Sequence, residues 1–311
     1  MAARTTLARL ISRIEAAEPG VDAAVAALPD AHPDSWVLGV TGPPGAGKST
    51  LINAMVTVLR GGGQRVAVLA VDPSSPCTGG AVLGDRIRMS QHLGDDGVYI
   101  RSLASRGHIG GLATAVPLAS RALLGFGFGR VLIETIGVGQ AEVDVARYAD
   151  TTILLSAPGL GDSIQAIKAG VLEVADILVV TKADRDGAPE LARDLTAAVR
   201  LGRTPADAWR TPVLCTQADT GAGVTELVAE IERHRAFLVS SGQLERRRAE
   251  RRLAEWRVAC RLLLEQQLAA GLAGAVGRDL AERVAGGEVA PAAAAAALYD
   301  HLRQVDPRLP L

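Results

Sequence analysis

Short apolar runs alternate with segments of helical periodicity along most of this chain. Seven of these runs are rich in β-branched or other apolar residues, and polar or glycine-containing stretches separate them. Such runs between helical segments predict strands buried on both faces, and therefore an α/β fold with a mostly parallel sheet covered by helices. The predicted strands are Trp36–Val40, Arg65–Val71, Val98–Leu103, Arg130–Thr135, Thr151–Ser156, Ile177–Thr181 and Pro212–Thr216.

Helical segments flank the predicted sheet domain, which takes residues 35–238. Residues 1–34 form an N-terminal helical extension, and residues 239–311 form a C-terminal helical arm. The arm contains a long helix over Leu244–Leu272 and an alanine-rich final helix over Ala292–Arg303. Ligands of parallel sheets bind beyond the carboxyl ends of the strands, so the polar sequences after the strands are the candidate site.

The long helix of the arm carries a basic cluster and an apolar stripe. The arginines at 246–248 and 251–252 are interpreted as a solvated, exposed face. A single arm cannot bury an apolar stripe of its own, so we expect it to pack on a second subunit in a homodimer. The stripe comprises Leu253, Trp256, Ala259 and Leu263.

Composition limits the classes of partner. A formal net charge of −1 over 311 residues gives no basic excess for nucleic acid. The three cysteines form no C-x-x-C pair, which disfavours a disulfide scaffold or a zinc site. No apolar run reaches the roughly 18 residues of a membrane span. The arginine-bearing start is followed by Glu15 and Glu18, which favours the first helix of a cytoplasmic protein over a transit peptide.

Lysine is rare in this chain. Of 33 cationic residues only Lys48, Lys168 and Lys182 are lysines. A chain that otherwise uses arginine is expected to keep lysine where a guanidinium does not serve the chemistry. Two of the three fall in nucleotide-binding motifs, and we expect the third to be functional as well.

A complete phosphate-binding loop lies between the first predicted strand and a predicted helix at Leu51–Leu59. It fits G-x-x-x-x-G-K-[ST] through Gly42, Gly47, Lys48 and Ser49. Glycines let backbone N–H groups surround a polyphosphate, and the helix N-terminus adds partial positive charge. Lys48 reaches the β and γ phosphates, and the Ser49 hydroxyl ligates magnesium. The expected nucleotide-binding residues are Gly42, Pro43, Pro44, Gly45, Ala46, Gly47, Lys48, Ser49 and Thr50.

The sixth predicted strand ends in a T-K-A-D sequence that resembles the guanine-reading N-K-x-D motif of GTPases. The Asp184 carboxylate can accept two N–H donors from guanine, whereas adenine presents the opposite pattern, so GTP is expected over ATP. The aliphatic stem of Lys182 can lie over the purine ring, and Thr181 replaces the usual asparagine. The loop expected to meet the base comprises Thr216, Gln217 and Ala218.

Carboxylates follow the second and fourth predicted strands. Asp72, Asp85 and Glu134 are expected, with Ser49, to surround one magnesium ion directly or through its waters. The glycines after Glu134, including Gly137, suit a loop that senses the γ-phosphate through backbone contacts. The candidate catalytic residues are Lys48, Asp85 and Glu134.

Together these motifs resemble one family, the methylmalonyl-CoA mutase-associated GTPases of the MeaB/ArgK group, which are related to the human cobalamin type A protein. The resemblance covers residues 35 to 232 or so and implies a P-loop GTPase domain with an N-terminal helical extension and a C-terminal dimerisation arm. It departs from the family at Thr181, Gln217 and Cys77. The matching segments are 42–50, 71–76, 78–80 through 88–89, 105–108, 134–140 and 158–162, followed by Gln165, Lys168 and Gly170.

The resemblance also implies what the protein acts on. The expected partner is an adenosylcobalamin-dependent acyl-CoA mutase, whose cofactor loading and repair the GTPase gates. The loop Gly159–Gly170 corresponds to a third switch that couples nucleotide state to the mutase, which gives Gln165 and Lys168 a role. GTP with Mg²⁺ is the expected ligand, and no tightly bound organic cofactor is expected.

Three alternatives remain open. A metallochaperone GTPase shares the fold, although this chain has five dispersed histidines and no paired cysteines. An ATP-dependent kinase associated with transport would prefer ATP, which the aspartate of the T-K-A-D sequence disfavours. A binding module without turnover is also compatible with these motifs.

Overall fold

The computed structural model describes residues 2–18, 20–73, 90–92, 94–105, 111–135, 145–160, 174–201 and 208–305. Within them, seven strands form one sheet in the order β3-β2-β4-β1-β5-β6-β7, and every neighbouring pair is parallel. The predicted α/β class is therefore confirmed. The strands are β1 (Trp36–Thr41), β2 (Val66–Pro73), β3 (Val98–Ser105), β4 (Arg130–Glu134), β5 (Thr151–Ser156), β6 (Ile177–Val180) and β7 (Val213–Cys215).

Helices connect and flank these strands. The ends of the strands differ by no more than two residues from those that the sequence predicts, and the long arm helix extends one residue further at each end. The helices are α1 (Ala2–Glu15), α2 (Val21–Ala26), α3 (Lys48–Gly61), α4 (Gly111–Gly125), α5 (Ala188–Leu201), α6 (Val224–Ser240), α7 (Gln243–Ala273), α8 (Ala275–Ala285) and α9 (Pro291–Val305).

Alternation along the strands divides the core between the two faces of the sheet. In β1, Trp36, Leu38 and Val40 pack with α3 and α6, whereas Val37 points to the other face. That second face is covered by α1, α2 and α4. All six residues of β1 are buried, as expected for a central strand of a parallel sheet.

The chain divides into two compact units, Met1–Glu255 and Trp256–Leu311. The second unit has its own small apolar cluster, in which Leu280 of α8 packs with Ala294 and Leu298 of α9. Among the described residues, none of the helices combines the length and the apolarity that crossing a bilayer requires.

The interpretation of the α7 arginines as a solvated face is wrong for three of the five. Arg247 pairs with Asp176, while Arg248 and Arg251 both pair with Asp150. These carboxylates lie directly before β6 and β5 and are buried, so each needs a cationic partner that α7 supplies. Two positions agree with the interpretation, because Arg246 and Arg252 remain exposed.

Candidate functional site

The glycines of the loop between β1 and α3 have positive φ angles, which favour glycine. Gly42 has φ of 144° and Gly47 has φ of 85°, and a Cβ at Gly42 would lie 2.5 Å from the Leu155 carbonyl oxygen. Helix α3 begins at Lys48, and no side chain caps its N-terminus. The first backbone N–H groups of α3 therefore offer an anion site beside this loop. Of the predicted loop residues, those that face solvent are Pro44, Gly45 and Thr50.

Lys48 lies across the loop that it belongs to. Its side chain is 8% exposed, and its Nζ donates hydrogen bonds to the carbonyl oxygens of Gly42 at 2.7 Å and Pro43 at 3.1 Å. These acceptors are neutral, so a phosphate oxygen would be a stronger partner for the ammonium group. The geometry places the predicted phosphate-binding cation on the loop itself.

Ser49 and Glu134 meet, as the prediction of a shared magnesium site requires. The Ser49 hydroxyl donates to Glu134 Oε1 at 2.6 Å, and both residues are 6% exposed. The contact follows from the topology, because β1 leads into the P-loop and is paired with β4, which ends at Glu134. A hydroxyl and a carboxylate are oxygen donors that suit Mg²⁺, so this pair fits the ion.

Other predicted site residues are described in part or not at all. Asp72 lies in β2, which is paired with β4, so its backbone reaches the same edge of the sheet as Glu134. Its side chain is outside the described residues. The remaining predicted residues that lie outside them are Asp85, Gly137, Gln165 and Lys168.

The T-K-A-D sequence after β6 contacts the P-loop. The Thr181 hydroxyl donates to the Ala46 carbonyl oxygen at 2.6 Å, and Lys182 Nζ donates to the Gly45 carbonyl oxygen at 2.7 Å. Lys182 has φ of 54°, a left-handed conformation that is uncommon outside glycine. Asp184 is exposed, so its carboxylate is open to a ligand. The sequence did not predict the hydrogen bond from Thr181.

The loop after β7 lies beside the T-K-A-D sequence. The backbone N–H of Ala183 donates to the Thr216 carbonyl oxygen at 3.1 Å, and Gln217 forms an antiparallel bridge with Ala222. Ala218 packs against the apolar cluster beneath α3 and α6. The structure therefore brings the predicted base-binding loop and the predicted base-reading strand together at one edge of the sheet.

A second polar cluster lies at the amino edge of the sheet, and sequence reasoning missed it. Arg247 forms a bidentate pair with Asp176 at 2.8 and 3.0 Å, and His234 Nε2 lies 3.3 Å from the same carboxylate. Thr151 Oγ1 accepts a hydrogen bond from the Trp36 indole at 2.8 Å and lies 2.8 Å from His234 Nδ1. The sequence feature that could have indicated this cluster is an aspartate directly before each of two apolar strands.

Asp176 is ionised in this cluster despite its burial. Burial by itself raises the pKa of a carboxyl group, but the close approach of His234 and the hydrogen bonds from Arg247 outweigh it and lower the pKa of Asp176 below its ordinary value. The Thr152 backbone N–H also donates to this carboxylate at 2.8 Å. Its charge is therefore held by fixed partners and has little capacity left for a ligand.

Comparison with known proteins adds to this geometry. The family model described as methylmalonyl Co-A mutase-associated GTPase MeaB matches residues 7–272. The GTPase ArgK of Escherichia coli is 38% identical over 260 residues, covering 81% of this chain and 78% of that protein. The mouse mitochondrial methylmalonic aciduria type A homolog is 37% identical over 237 residues, covering 75% of this chain and 57% of that protein.

A solved structure is also similar over most of the chain. The crystal structure of a protein described as LAO/AO transport system kinase superposes with a TM-score of 0.67 at 28% sequence identity. The similarity covers 96% of this chain and 93% of that one.

Proposed function

This chain belongs to the methylmalonyl-CoA mutase-associated GTPase family MeaB, and from that premise we propose that it gates the loading and protection of adenosylcobalamin in an acyl-CoA mutase. Hydrolysis of GTP is the activity of the family to which it belongs. The observation that carries the proposal is the family match over residues 7–272, which extends through the GTPase domain and into the arm helix. The name of the mouse relative, a methylmalonic aciduria protein, supports the same partner.

The proposed roles of the site residues follow from charge and reach. Lys48 and the first N–H groups of α3 bind the β and γ phosphates and stabilise the charge that grows on them during transfer. Ser49 and Glu134, with Asp72 and Asp85, hold Mg²⁺, which supplies further charge neutralisation when it is bound with the nucleotide. Asp85 and Glu134 are also the proposed catalytic carboxylates.

The nucleotide base is proposed to lie where β6 and β7 end. Asp184 accepts the N–H donors of guanine, and Lys182 covers the ring while its Nζ remains on the P-loop. The backbone of Thr216, Gln217 and Ala218 completes the base site. Gly137 belongs to the loop proposed to sense the γ-phosphate.

Partner coupling is assigned to the segment Gly159–Gly170, with Gln165 and Lys168 as the responding side chains. Gly159 is described and has φ of 79°, so a substituted residue would be strained at the start of this segment. β5, which precedes this segment, ends at the same edge of the sheet as β1, which leads into the P-loop, because the two strands are paired in parallel. The nucleotide bound at the P-loop can therefore influence the conformation of this segment through the adjacent backbone of β1 and β5.

The test pairs the protein with purified methylmalonyl-CoA mutase. The affinity of this protein for a GTP analogue should be measured with and without the mutase. The mutase should change that affinity by about fivefold or more, which is in the usual range of coupling between two sites. Lys168→Ala should keep nucleotide affinity in the absence of the mutase but reduce this response. Lys48→Ala serves as the variant unable to hydrolyse GTP. Equal affinities with and without the mutase would refute the proposed partner.

We also propose a homodimer formed through the apolar stripe of α7. Trp256 and Leu263 are each 63% exposed, and Leu253 is 51% exposed, which leaves a row of large apolar side chains in contact with water. Trp256→Glu with Leu263→Glu should convert the dimer to a monomer in light scattering. Leu201→Glu, which alters a leucine that is 86% exposed on α5, is the matched control. A parent protein that is monomeric at micromolar concentration would contradict this proposal.

An ATP-dependent kinase associated with transport is the second candidate, supported by the name of the similar solved structure. Nucleotide competition separates the two candidates, because the kinase requires ATP to displace bound GDP at least as well as GTP does. A metallochaperone has less support: among the described residues no group of three His, Cys, Asp or Glu side chains is arranged to hold a metal ion.

A further inference from the structure

The chain that follows β4 is attached to β1 through a pair of buried hydroxyls. Thr41 and Thr135 form the next pair beyond the last register partners of β1 and β4. The Thr135 hydroxyl donates to Thr41 Oγ1 at 2.9 Å, and the two residues are 4% and 0% exposed, respectively. The Thr135 backbone N–H also donates to the Val40 carbonyl oxygen at 3.2 Å. Residue 135 is therefore fixed to the strand that leads into the P-loop.

The chain returns to β1 ten residues later. Val145 and Ala149 pack on this strand at Gly39, where a Cβ would lie 2.9 Å from Val145 Cγ2 and 3.0 Å from Ala149 Cβ. The Asp150 backbone N–H donates to the Val37 carbonyl oxygen at 2.7 Å, and the Val37 N–H donates to an Asp150 carboxylate oxygen at 2.9 Å. Glycine at position 39 leaves the space that this second attachment needs.

Both attachments lie on the face of β1 that is opposite to α3. The β1 residues that form them alternate with those that pack with α3 and α6. The same alternation directs Glu134 towards Ser49 and directs the next residue, Thr135, to the other face. Thr135 therefore acts on the proposed magnesium and phosphate site through the backbone that follows Glu134.

Residues 136–144 lie between the two attachments in sequence and include Gly137, which is proposed to sense the γ-phosphate. We call this range the γ-phosphate segment. Both of its ends are fixed to β1, and β1 continues directly into Gly42 of the P-loop. One close-packed strand thus sets the separation of the two attachments and their position relative to the P-loop. A change at either attachment should move the γ-phosphate segment relative to the bound phosphates.

We propose that Thr135, together with Thr41 and Gly39, positions the γ-phosphate segment and thereby sets how strongly this protein prefers GTP to GDP. The inference rests on the proposed role of Gly137 but does not involve the mutase. GDP lacks the γ-phosphate, so its affinity should not depend on these attachments. Affinity for GTP and its turnover should depend on them.

The first measurement compares the affinities for GDP and for a non-hydrolysable GTP analogue. Thr135→Val preserves shape but removes the hydroxyl, so the analogue should bind about threefold to tenfold more weakly, the usual worth of one hydrogen bond. GDP affinity should remain that of the parent, whereas kcat for GTP should fall. Thr135→Ser, which keeps the hydroxyl, should recover most of the loss. Thr196→Val, which removes a hydroxyl bonded to Ala192 within α5, is the matched control.

A double-mutant cycle tests whether the two hydroxyls act together. Thr41→Val should weaken binding of the GTP analogue as much as Thr135→Val does. The combined variant should lose no more than either single variant, because each substitution already breaks the one contact between them. Losses that add in the combined variant would overturn the role of this hydroxyl pair.

Gly39→Ala tests the second attachment and should also lower the preference for the GTP analogue. Val145→Ala in the same chain should restore that preference, because it removes the atom nearest to the new Cβ. An unchanged ratio of the two affinities in folded Thr135→Val and Gly39→Ala would overturn the inference. Gly137→Ala separates the two claims: if it lowers the ratio while the Thr135 and Gly39 variants do not, the role of Gly137 stands and the role of the attachments fails.

Discussion

The two edges of the sheet use charged side chains in opposite ways. At the carboxyl edge, Lys48 and Lys182 donate to backbone carbonyl oxygens of the P-loop, and the Asp184 carboxylate is exposed. At the amino edge, Asp150 and Asp176 are 1% and 6% exposed, and arginines of α7 are bound to both. At one edge cations contact backbone carbonyl oxygens, and at the other buried carboxylates are paired with arginines.

This difference separates the groups available to a ligand from the groups committed to the fold. An ammonium group can exchange a neutral carbonyl for a phosphate oxygen with a net gain, because a bond between two charged groups is the stronger one. A buried carboxylate that lost its arginine would be left with an uncompensated charge. We therefore expect substitutions at the carboxyl edge to change nucleotide chemistry, and substitutions at the amino edge to change stability.

The largest effect is expected at Lys48. Lys48→Ala removes the cation that we propose binds the transferring phosphoryl group, and hydrolysis should fall by roughly 100-fold or more, comparable with the loss of one preorganised donor. The midpoint of thermal unfolding should change less than on removal of an arginine from Asp150 or Asp176, because two of the acceptors of Lys48 are neutral carbonyl oxygens of the loop. Phosphate release under saturating GTP is the measurement. Hydrolysis at the parent rate would contradict the claim that charged groups at the carboxyl edge of the sheet act on the nucleotide.

The next largest effect is expected at Arg247, and it should fall on stability, whereas the effect of Lys48→Ala falls on hydrolysis. Arg247→Ala leaves Asp176 buried without its bidentate partner, and unfolding should become easier by roughly 2–3 kcal/mol. This lies below the value for a fully buried pair, because 35% of the Arg247 side chain is exposed. Urea denaturation measures it, with Arg246→Ala as control, since Arg246 is 82% exposed. Equal stability losses in the two variants would contradict a structural role for the pair.

A smaller change is expected at Asp184, and it should concern selectivity. Asp184→Asn removes a charged acceptor for guanine, worth roughly 1.5–3 kcal/mol for hydrogen bonds to a charged group. Preference for GDP over ADP should therefore fall by roughly 10-fold to 100-fold in competition binding. Asp186→Asn changes an exposed aspartate two residues further on and is the control. Unchanged selectivity in Asp184→Asn would mean that another group reads the base.

The smallest effect is a dependence of stability on pH at the amino edge. The pKa of Asp176 is lowered in the folded protein, because the nearby His234 and the bidentate pair with Arg247 outweigh burial. The stability that its charge contributes is therefore fully present above the unfolded pKa, near 4, and is lost as the pH falls through the folded value. Asp176→Asn should lose less stability than the parent between pH 5 and pH 3 or so. Equal losses of stability in the parent and in Asp176→Asn would show that Asp176 does not cause this dependence on pH.

Local patterns predicted much of this molecule from its sequence. The apolar runs located all seven strands, and the predicted helix after the P-loop is present, although α3 begins at Lys48, three residues before the predicted start at Leu51. The contacts that the sequence did not predict join distant residues: Thr181 bonds to Ala46 across 135 positions, and Arg247 pairs with Asp176 across 71. No periodicity encodes such pairs, because they depend on which strands become neighbours in the sheet.

Amide hydrogen exchange with and without GDP and Mg²⁺ tests the contrast between the two edges most directly. Bound nucleotide should protect peptides covering residues 42–50 and 181–184, because their backbone is ordered by phosphate and base. Peptides covering 243–251 should exchange at the same rate in both states, since the arginines of α7 are already held by Asp150 and Asp176. Protection concentrated at 243–251, with none at 42–50, would contradict the account.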